Sequence, residues 1–215
     1  MSKRKRERHR QHGNPFHVRG PVEVPDWESL YKRPAPFALD IGFGPGMFLL
    51  ELAQKNPQWN CLGLEIRQHL VDGALQGARE QGLDNVHAMV ANANTQLMDL
   101  VPDKSVAFVS LNFPDPWFKK RHRKRRVLNE AWLDLLGHKM MPGGEFHTMT
   151  DYEIAAIEAQ EILQAHSSYE DQCGGFAAET TTGIVSEREL SHQRRGHPVY
   201  RQHFIYRAIG DSVDI

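Results

Sequence analysis

Residues 112–126 combine an acidic residue, an aromatic ring and a dense run of cations. Asp115 stands between Pro114 and Pro116, and Trp117 follows directly. Each proline removes a backbone donor and pushes the residue before it out of the helical region, so the loop is extended and stiff and holds Asp115 forward. A carboxylate and an aromatic ring beside many cations indicate a site that handles a base carried on a polyanion. A Pro-rich turn before a solvated basic helix accounts for the same pattern, and the loop alone does not separate the two.

The loop follows residues 106–111, an apolar and partly β-branched run with the length of a buried strand. In an open α/β sheet, ligands bind outside the carboxyl ends of the strands. We therefore expect Asp115 to lie at a strand end where a ligand can bind.

A glycine-rich turn lies between a predicted strand, residues 37–41, and a segment with helical apolar spacing, residues 47–54. Gly42, Gly44 and Gly46 let the backbone approach a ligand closely, and the N-terminus of the helix favours a ligand that accepts hydrogen bonds. The spacing differs from the G-x-G-x-x-G of dinucleotide-binding turns, and a G-x-G alone also occurs in ordinary tight turns.

Two polar residues close the next predicted strands. Glu65 ends the strand of residues 59–64, where a carboxylate can accept both ribose hydroxyls of an adenosine-type ligand. A surface glutamate before a helix is the alternative, and the glycine turn earlier in the chain favours the ligand interpretation. Asn92 closes the third predicted strand, residues 86–90.

Strands and helices alternate along the rest of the chain. Further helices are predicted at residues 68–81, 95–100, 127–140 and 154–165, and further strands at residues 145–150 and 200–207. Residues 141–144 break the third of these helices, and residues 200–207 suit an antiparallel edge strand. This order predicts an α/β fold with a parallel sheet covered on both faces.

The chain of 215 residues suits one α/β domain with a full core and is too short for two ordinary domains. Its net charge is −1, but cations cluster in residues 3–10 and 119–126, and such patches on a near-neutral body favour a nucleic-acid partner. Residues 1–20 carry too few apolar side chains to order themselves. We therefore predict a basic, disordered arm at residues 1–20 and a single domain at residues 21–215.

Cys61 and Cys173 lie far apart, and no His or Cys accompanies them at metal-ligand spacing. We therefore expect neither a disulfide framework nor a metal site, and a reducing, cytoplasmic location. No apolar stretch reaches the length of a membrane span, so we expect a soluble protein that has no membrane partner and is not exported.

Several of these features resemble a class I S-adenosylmethionine-dependent methyltransferase. They are Asp40 with the glycine turn, Glu65, the Pro-Gly-Gly of residues 142–144 and the antiparallel last strand. Residues 112–126 are similar to the signature of the tRNA (guanine-N7)-methyltransferases, as are residues 150–151, 186–189 and 196–201. The resemblance covers residues 37–207 and implies the class I methyltransferase fold, a Rossmann-like, doubly wound sheet that is mostly parallel with an antiparallel C-terminal strand.

The resemblance implies S-adenosylmethionine as the cofactor, tRNA as the partner and guanosine 46 of the variable loop as the target. The residues that it implies for the cofactor are Asp40, Gly42, Gly44, Gly46, Glu65, Asn92 and Asp115. Those that it implies for the substrate are Lys119, Asp151 and residues 186–189, including Ser186 and Glu189. Asp115 also faces the target base in this family and is the implied catalytic residue.

This chain departs from the family pattern at two of these positions. Ser186 stands where members usually carry Thr, which loses a methyl group and keeps the hydroxyl. Asn92 stands where many members carry Asp, so a hydrogen bond to the adenine has to come from an amide.

Guanine N7 carries a free lone pair and no proton, so its methylation requires no strong general base. We expect Asp115 to orient the base and to stabilise the positive charge that develops on its imidazole ring. Trp117 either stacks on the base or anchors the loop, and anchoring is favoured because a buried Trp is often structural.

Three other functions share part of this pattern. A methyltransferase acting on an exocyclic amine of RNA would use a related Asp-Pro-Trp loop, and product analysis distinguishes it. A nicotinamide oxidoreductase would share the glycine turn and Glu65 but leaves the basic run unexplained. A non-catalytic RNA-binding module explains the basic segments and leaves the cofactor residues unexplained.

Overall fold

The computed structural model describes residues 14–117 and 125–208, and these contain seven strands in one sheet. The strands are β1 (Phe37–Ile41), β2 (Asn60–Glu65), β3 (Val86–Val90), β4 (Val106–Asn112), β5 (Met140–Thr150), β6 (Tyr169–Asp171) and β7 (Tyr200–Tyr206). Their order in the sheet is β3-β2-β1-β4-β5-β7-β6. Lys119, most of the basic run and residues 1–13 lie outside the described residues.

Helices connect the strands. They are α1 (Trp27–Tyr31), α2 (Met47–Lys55), α3 (Gln68–Glu80), α4 (Ala93–Leu100), α5 (Glu130–Lys139), α6 (Glu153–Ala165) and α7 (Glu187–Gln193), preceded by a short 3₁₀ helix, Pro15–His17. The predicted α/β alternation is therefore confirmed. Residues 14–20, which the sequence analysis placed in the arm, contain this 3₁₀ helix, and the side chain of Pro15 is buried.

The first five strands pair in parallel, and β7 pairs antiparallel with both β5 and β6. The antiparallel direction of the last long strand is confirmed. Its predicted place at the edge is wrong, because the three-residue strand β6 pairs with β7 from Tyr169 opposite Tyr206 to Asp171 opposite Phe204. A strand this short leaves almost no periodic signal in the sequence.

Strand β5 begins earlier than expected. Helix α5 ends at Lys139, and β5 is continuous from Met140, but residues 141–144 have no partner in β4 or β7, and the continuously paired part of the strand is residues 145–150, as predicted. The register between β4 and β5 shifts between Val106 and Phe108, which takes up the irregular backbone around Gly143. The Pro-Gly-Gly segment thus follows the end of the helix and interrupts the pairing near the start of β5.

Side chains that are aligned across neighbouring strands form rows, and two successive rows differ in polarity. One row runs across four strands and is fully apolar and buried: Leu39, Val109, Phe146 and Phe204. These side chains belong to one core cluster with Trp132, Leu133 and Leu163 of α5 and α6. Because successive side chains point to opposite faces, the next row lies on the other side. That row is polar and consists of Asp40, Ser110, His147 and His203.

Candidate functional site

The predicted site residues gather at the carboxyl ends of the parallel strands. The glycine turn follows β1, Glu65 ends β2, the Pro-Asp-Pro loop follows β4, and Asp151 follows β5. The topology therefore brings Asp40, Glu65, Asp115 and Asp151 to one edge of the sheet, as expected for an open α/β fold.

The glycine turn joins β1 to α2 through a tightly packed backbone. The amide of Gly42 donates to the carbonyl oxygen of Leu64 over 2.7 Å. Gly46 precedes the helix with φ +89°, and a Cβ there would lie 2.9 Å from the Cβ of Ala74, so no other residue fits without displacement. A Cβ built on Gly42 or Gly44 would meet no described atom within 4 Å. The turn therefore presents bare backbone to open space, as a ligand cradle requires.

Asp40 is buried at the end of β1 and has one unpaired oxygen. Its Oδ1 accepts a hydrogen bond from Oγ of Ser110 over 2.8 Å, while Oδ2 has no hydrogen-bond partner in the described part of the chain. Burial raises the pKa of Asp40 to about 7; the Ser110 bond opposes this rise, and the charge of Glu65 adds to it. An unpaired buried carboxylate oxygen is costly, so it is suited to a ligand group that donates hydrogen bonds or carries positive charge.

Glu65 is buried, and both of its oxygens accept hydrogen bonds. The amides of Ile66 and Gly44 donate to it at 2.8 and 3.3 Å. Arg67 donates from Nε to Oε1 at 3.1 Å and from Nη2 to Oε2 at 2.9 Å, and this bond raises the pKa of Arg67. The charge of Asp115 raises that pKa further, which puts the loop carboxylate in the field of this ion pair.

Sequence reasoning missed Arg67, although it lies only two positions after the predicted ribose ligand. A ribose that reached Glu65 would share the carboxylate with this guanidinium. The predicted contact between Glu65 and a ribose stays a prediction.

Asn92 is buried and tied to the N-terminal segment. It caps α4 by accepting a hydrogen bond from the Asn94 amide over 3.1 Å. Its Nδ2 donates to the carbonyl oxygens of Pro15 and Val18, at 2.9 and 3.5 Å. Gln96 also donates to the carbonyl oxygen of Gly20 over 3.0 Å. Since both Nδ2 hydrogens have acceptors, the predicted contact between Asn92 and the adenine stays a prediction.

The loop after β4 has an unusual backbone at two aromatic residues. Phe113 has φ +50° and Trp117 has φ +40°, values that cost energy for residues other than glycine. The guanidinium carbon of Arg125 lies 4.9 Å from the centre of the Trp117 ring, and Nε of Arg126 donates to the carbonyl oxygen of Pro116 over 2.8 Å. The basic run thus holds the loop from its far side, and Asp115 within it is half-buried.

Asp151 contacts two cationic or titratable groups of α7. Its Oδ1 accepts from Nη2 of Arg188 at 2.7 Å, and its Oδ2 lies 3.2 Å from Nε2 of His192. Burial raises the pKa of Asp151, but the hydrogen bond and charge of Arg188 outweigh it and lower the pKa overall. The guanidinium carbon of Arg188 also lies 4.8 Å from the centre of the Phe113 ring. Arg188 is 41% exposed, so a cation is held in place at the mouth of the site with one side open to solvent.

Ser186 and Glu189 bind each other at the start of α7. Oγ of Ser186 accepts from the Glu189 amide at 3.2 Å, and the Ser186 amide donates to Oε2 of Glu189 at 3.3 Å, which forms a capping box. Oε1 of Glu189 accepts from Nε of Arg201 at 2.6 Å. Glu189 is fully buried. These contacts fix α7 on β7, and the predicted contacts of Ser186 and Glu189 with substrate stay predictions.

Among the described residues, no helix is both long and apolar enough to cross a membrane.

A family model described as "Putative methyltransferase" matches residues 34–202. The tRNA (guanine-N(7)-)-methyltransferase of Synechococcus sp. (strain JA-3-3Ab) is 40% identical over 198 residues, which cover 91% of this chain and 84% of the relative. Among solved structures, the aminoglycoside resistance methyltransferase NpmB1 superposes with a TM-score of 0.58 at 19% identity, covering 86% of this chain and 95% of the other. A SAM-dependent O-methyltransferase from Thermotoga maritima superposes with a TM-score of 0.54 at 18% identity, covering 89% and 68%. At these identities the two superpositions show a shared fold alone.

Proposed function

The chain belongs to the tRNA (guanine-N7)-methyltransferases and has the class I methyltransferase fold, and from this we propose that it methylates N7 of guanosine 46 in the variable loop of tRNA. The observation that carries the proposal is the placement of the Asp115 loop. It lies at the same sheet edge as Asp40 and Glu65, in a chain whose sequence is similar to these enzymes over most of its length.

The residues present fit S-adenosylmethionine. The bare backbone of Gly42 and Gly44 leaves space for a ligand, and the unpaired Oδ2 of Asp40 suits the positively charged amino group of the methionine part. Glu65 would accept the ribose hydroxyls. Asn92 would reach the adenine if residues 15–18 give up their hydrogen bonds to its amide. When bound, S-adenosylmethionine supplies a methyl group on a sulfonium, which a nucleophile displaces.

Asp115 is the catalytic residue in this proposal. The prolines on either side stiffen its loop, and Arg126 ties the loop to α6 by pairing with Glu158. Because guanine N7 needs no deprotonation, Asp115 acts by orienting the base and stabilising the positive charge that moves onto the imidazole ring. This chemistry requires no metal.

We assign Arg188 and Asp151 different roles in binding the substrate. Asp151 is already bound to Arg188, so we assign it the positioning of that guanidinium, and we assign Arg188 the contact with a phosphate or base edge of the RNA. The basic arm and residues 119–126, including Lys119, would add phosphate contacts around this point.

We also propose that residues 21–215 work as a single domain, to which residues 14–20 of the N-terminal arm are bound through Asn92 and Gln96, and that the enzyme acts in the cytoplasm. Cys61 and Cys173 are free in the structure, as a reducing compartment would allow.

One assay tests the proposed function. Unmodified tRNA is incubated with the full chain and S-adenosylmethionine labelled in its methyl group, and the nucleosides are then separated and identified. We expect label in 7-methylguanosine, and no label there when guanosine 46 is replaced by adenosine. Label in an N-methylated exocyclic amine would identify the alternative enzyme, and tRNA binding without label would identify a binding module.

A further inference from the structure

A cluster of three metal-ligating side chains lies outside the site described above. Glu145 and His147 are two positions apart on β5, so they point to the same face, and His203 of β7 is directly opposite His147 in the antiparallel register. One ligand atom from each of the three lies within 4.8 Å of the other two. Both strands belong to the central sheet, so the cluster has a rigid base.

We propose that Glu145, His147 and His203 bind a divalent transition-metal ion, with zinc as the expected class. Two imidazoles and one carboxylate are a ligand set for Zn²⁺ and its neighbours, whereas Mg²⁺ and Ca²⁺ prefer oxygen. A fourth position would be filled by water, because Glu145 is partly exposed and opens the cluster to solvent.

The distances are close to those that an ion needs. Oε2 of Glu145 lies 2.8 Å from Nε2 of His147 and 3.2 Å from Nε2 of His203. Ligand atoms on a tetrahedral Zn²⁺, at metal distances of roughly 2.0–2.1 Å, lie about 3.3 Å from each other. The imidazole rings are stacked, with centres 4.1 Å apart and planes at 12°, so binding requires them to tilt until both Nε2 atoms face one point.

A role in packing alone does not explain the unpaired ring nitrogen of His203. Its Nε2 is buried, lies 3.2 Å from Oε2 of Glu145 and makes no hydrogen bond within the described residues. Buried polar atoms are nearly always paired, so an unpaired nitrogen facing a carboxylate and a second imidazole indicates a missing positive partner.

His147 is held through its other ring nitrogen, as metal-ligating histidines usually are. Its ring is buried against Phe108, and its Nδ1 lies 2.8 Å from Oγ1 of Thr181. A threonine hydroxyl can donate or accept. It can therefore donate to Nδ1 when Nε2 carries the proton and accept from Nδ1 when Nε2 holds an ion, which fixes the ligand tautomer.

The cluster lies where neighbouring strands of the sheet meet the segment that precedes α7. The ion would join β5, β7 and the segment carrying Thr181, and it would stabilise the C-terminal part of the sheet without taking part in methyl transfer.

Cobalt binding to the untagged full chain tests the proposal independently of activity. The protein is stripped with a chelator and titrated with CoCl₂, and visible absorption reports four-coordinate cobalt. Calorimetry with ZnCl₂ gives stoichiometry and affinity. We expect one equivalent with the visible bands, and affinity weakened at least about tenfold in Glu145→Gln and His203→Ala and more modestly in Thr181→Val.

The chain has 12 histidines, so weak binding elsewhere has to be separated from this site. His197→Ala, which changes an exposed histidine outside the cluster, is the matched control and should bind like the unmodified chain. Circular dichroism of Glu145→Gln, a nearly isosteric change, checks that the fold is kept. Absence of the visible bands, or equal affinity in Glu145→Gln and the control, overturns the proposal.

Discussion

Ser110 donates a hydrogen bond to Oδ1 of Asp40 over 2.8 Å and leaves Oδ2 of the same buried carboxylate without a partner in the described chain. The pair joins β4 to β1 directly below the glycine turn. It orients the carboxylate through one oxygen and keeps the other available. The ligand-free protein therefore holds a poorly solvated acid whose charge is favoured once a cationic group arrives.

Asp40 should make folding stability fall as pH rises through neutrality. Its pKa is raised from 3.8 to about 7 in the folded chain, so the folded state holds this proton more tightly than the unfolded state. The resulting stabilisation is complete below the unfolded pKa and is lost as pH rises to the folded pKa. Relative to Asp40→Asn, the unmodified chain should lose about 2–3 kcal/mol of unfolding free energy between pH 5 and pH 8. Urea unfolding of both proteins at the two pH values measures this, and equal pH dependence would contradict it.

Ionisation of Asp40 should strengthen cofactor binding, whereas it lowers the stability of the fold. Ionised Asp40 attracts the amino group of S-adenosylmethionine, so calorimetric affinity should increase as pH rises through about 7 in the unmodified chain. Asp40→Asn should bind more weakly at pH 8 and show a flatter profile.

Replacing Asp115 should abolish methyl transfer while leaving tRNA binding nearly intact. One carboxylate contributes little to the contact with a polyanion, but it is the proposed stabiliser of charge on the reacting base. Asp115→Ala should be inactive, and Asp115→Asn should lower kcat by about 10²–10³. Asp72→Asn, at an exposed position of α3, is the control and should keep full activity. A fully active Asp115→Asn enzyme would reduce the role of Asp115 to hydrogen bonding.

Arg188 should matter more than an ordinary surface cation. Asp151 and the Phe113 ring hold its guanidinium at the mouth of the site, so Arg188→Ala should lower both tRNA affinity and the rate at saturating tRNA. The exposed Arg195, whose guanidinium donates to Oγ of Ser191, is the matched control and should affect affinity alone. If Asp151 acts through Arg188, the effects of Asp151→Asn and Arg188→Ala should not add in a double-mutant cycle. Additive effects would give Asp151 a separate substrate contact.

Two N-terminal truncations should separate the arm from the segment bound to Asn92. Deleting residues 1–13 should weaken tRNA binding and flatten its salt dependence by about one unit of log-log slope for each phosphate that the arm no longer neutralises. Deleting residues 1–20 also removes the acceptors on Pro15, Val18 and Gly20 and should destabilise the fold by about 1–3 kcal/mol. Equal unfolding free energies for the two truncations would show that these hydrogen bonds do not stabilise the fold.

Lys119 should behave differently from the arm. It lies four positions past Asp115 in the sequence, and we propose that it holds a phosphate or base edge near the reacting atom. Lys119→Ala should therefore lower the rate at saturating tRNA as well as the affinity, because misplacing the base by about 1 Å can cost on the order of a hundredfold. If Lys119→Ala weakens tRNA affinity but leaves the rate at saturating tRNA unchanged, Lys119 contributes only to the general positive charge that binds tRNA.

The strands of the sheet and most helices could be predicted because their periodic apolar patterns are long. Elements with few residues could not: β6 has three residues, and α7 begins at a capping box whose two members look like substrate ligands in the sequence. Glu189 shows the physical reason. Its motif predicts a functional carboxylate, and only the fold reveals Arg201 as its partner, from a strand that comes later in the chain.

The position of a candidate site residue was predictable where that residue lies near the end of a strand, as for Asp40 and Glu65. It was not predictable where a partner comes from elsewhere. Arg188 reaches Asp151 from a different element, and the Asn92 amide meets a segment far away in the sequence. Sequence patterns reveal which residues end a strand, but they do not reveal what packs beside them.

The alternation of a fully apolar row with a polar one across four strands also constrains how those strands can align while folding. A slip of one residue turns every side chain to the opposite face. Such a slip would carry Asp40 and His147 into the cluster around Trp132 and turn Leu39 and Phe146 to the face that holds the polar row. Each misaligned pairing would bury unpaired polar groups, so the nearest wrong alignments are strongly disfavoured. The polar row thereby helps to select the correct pairing of the strands.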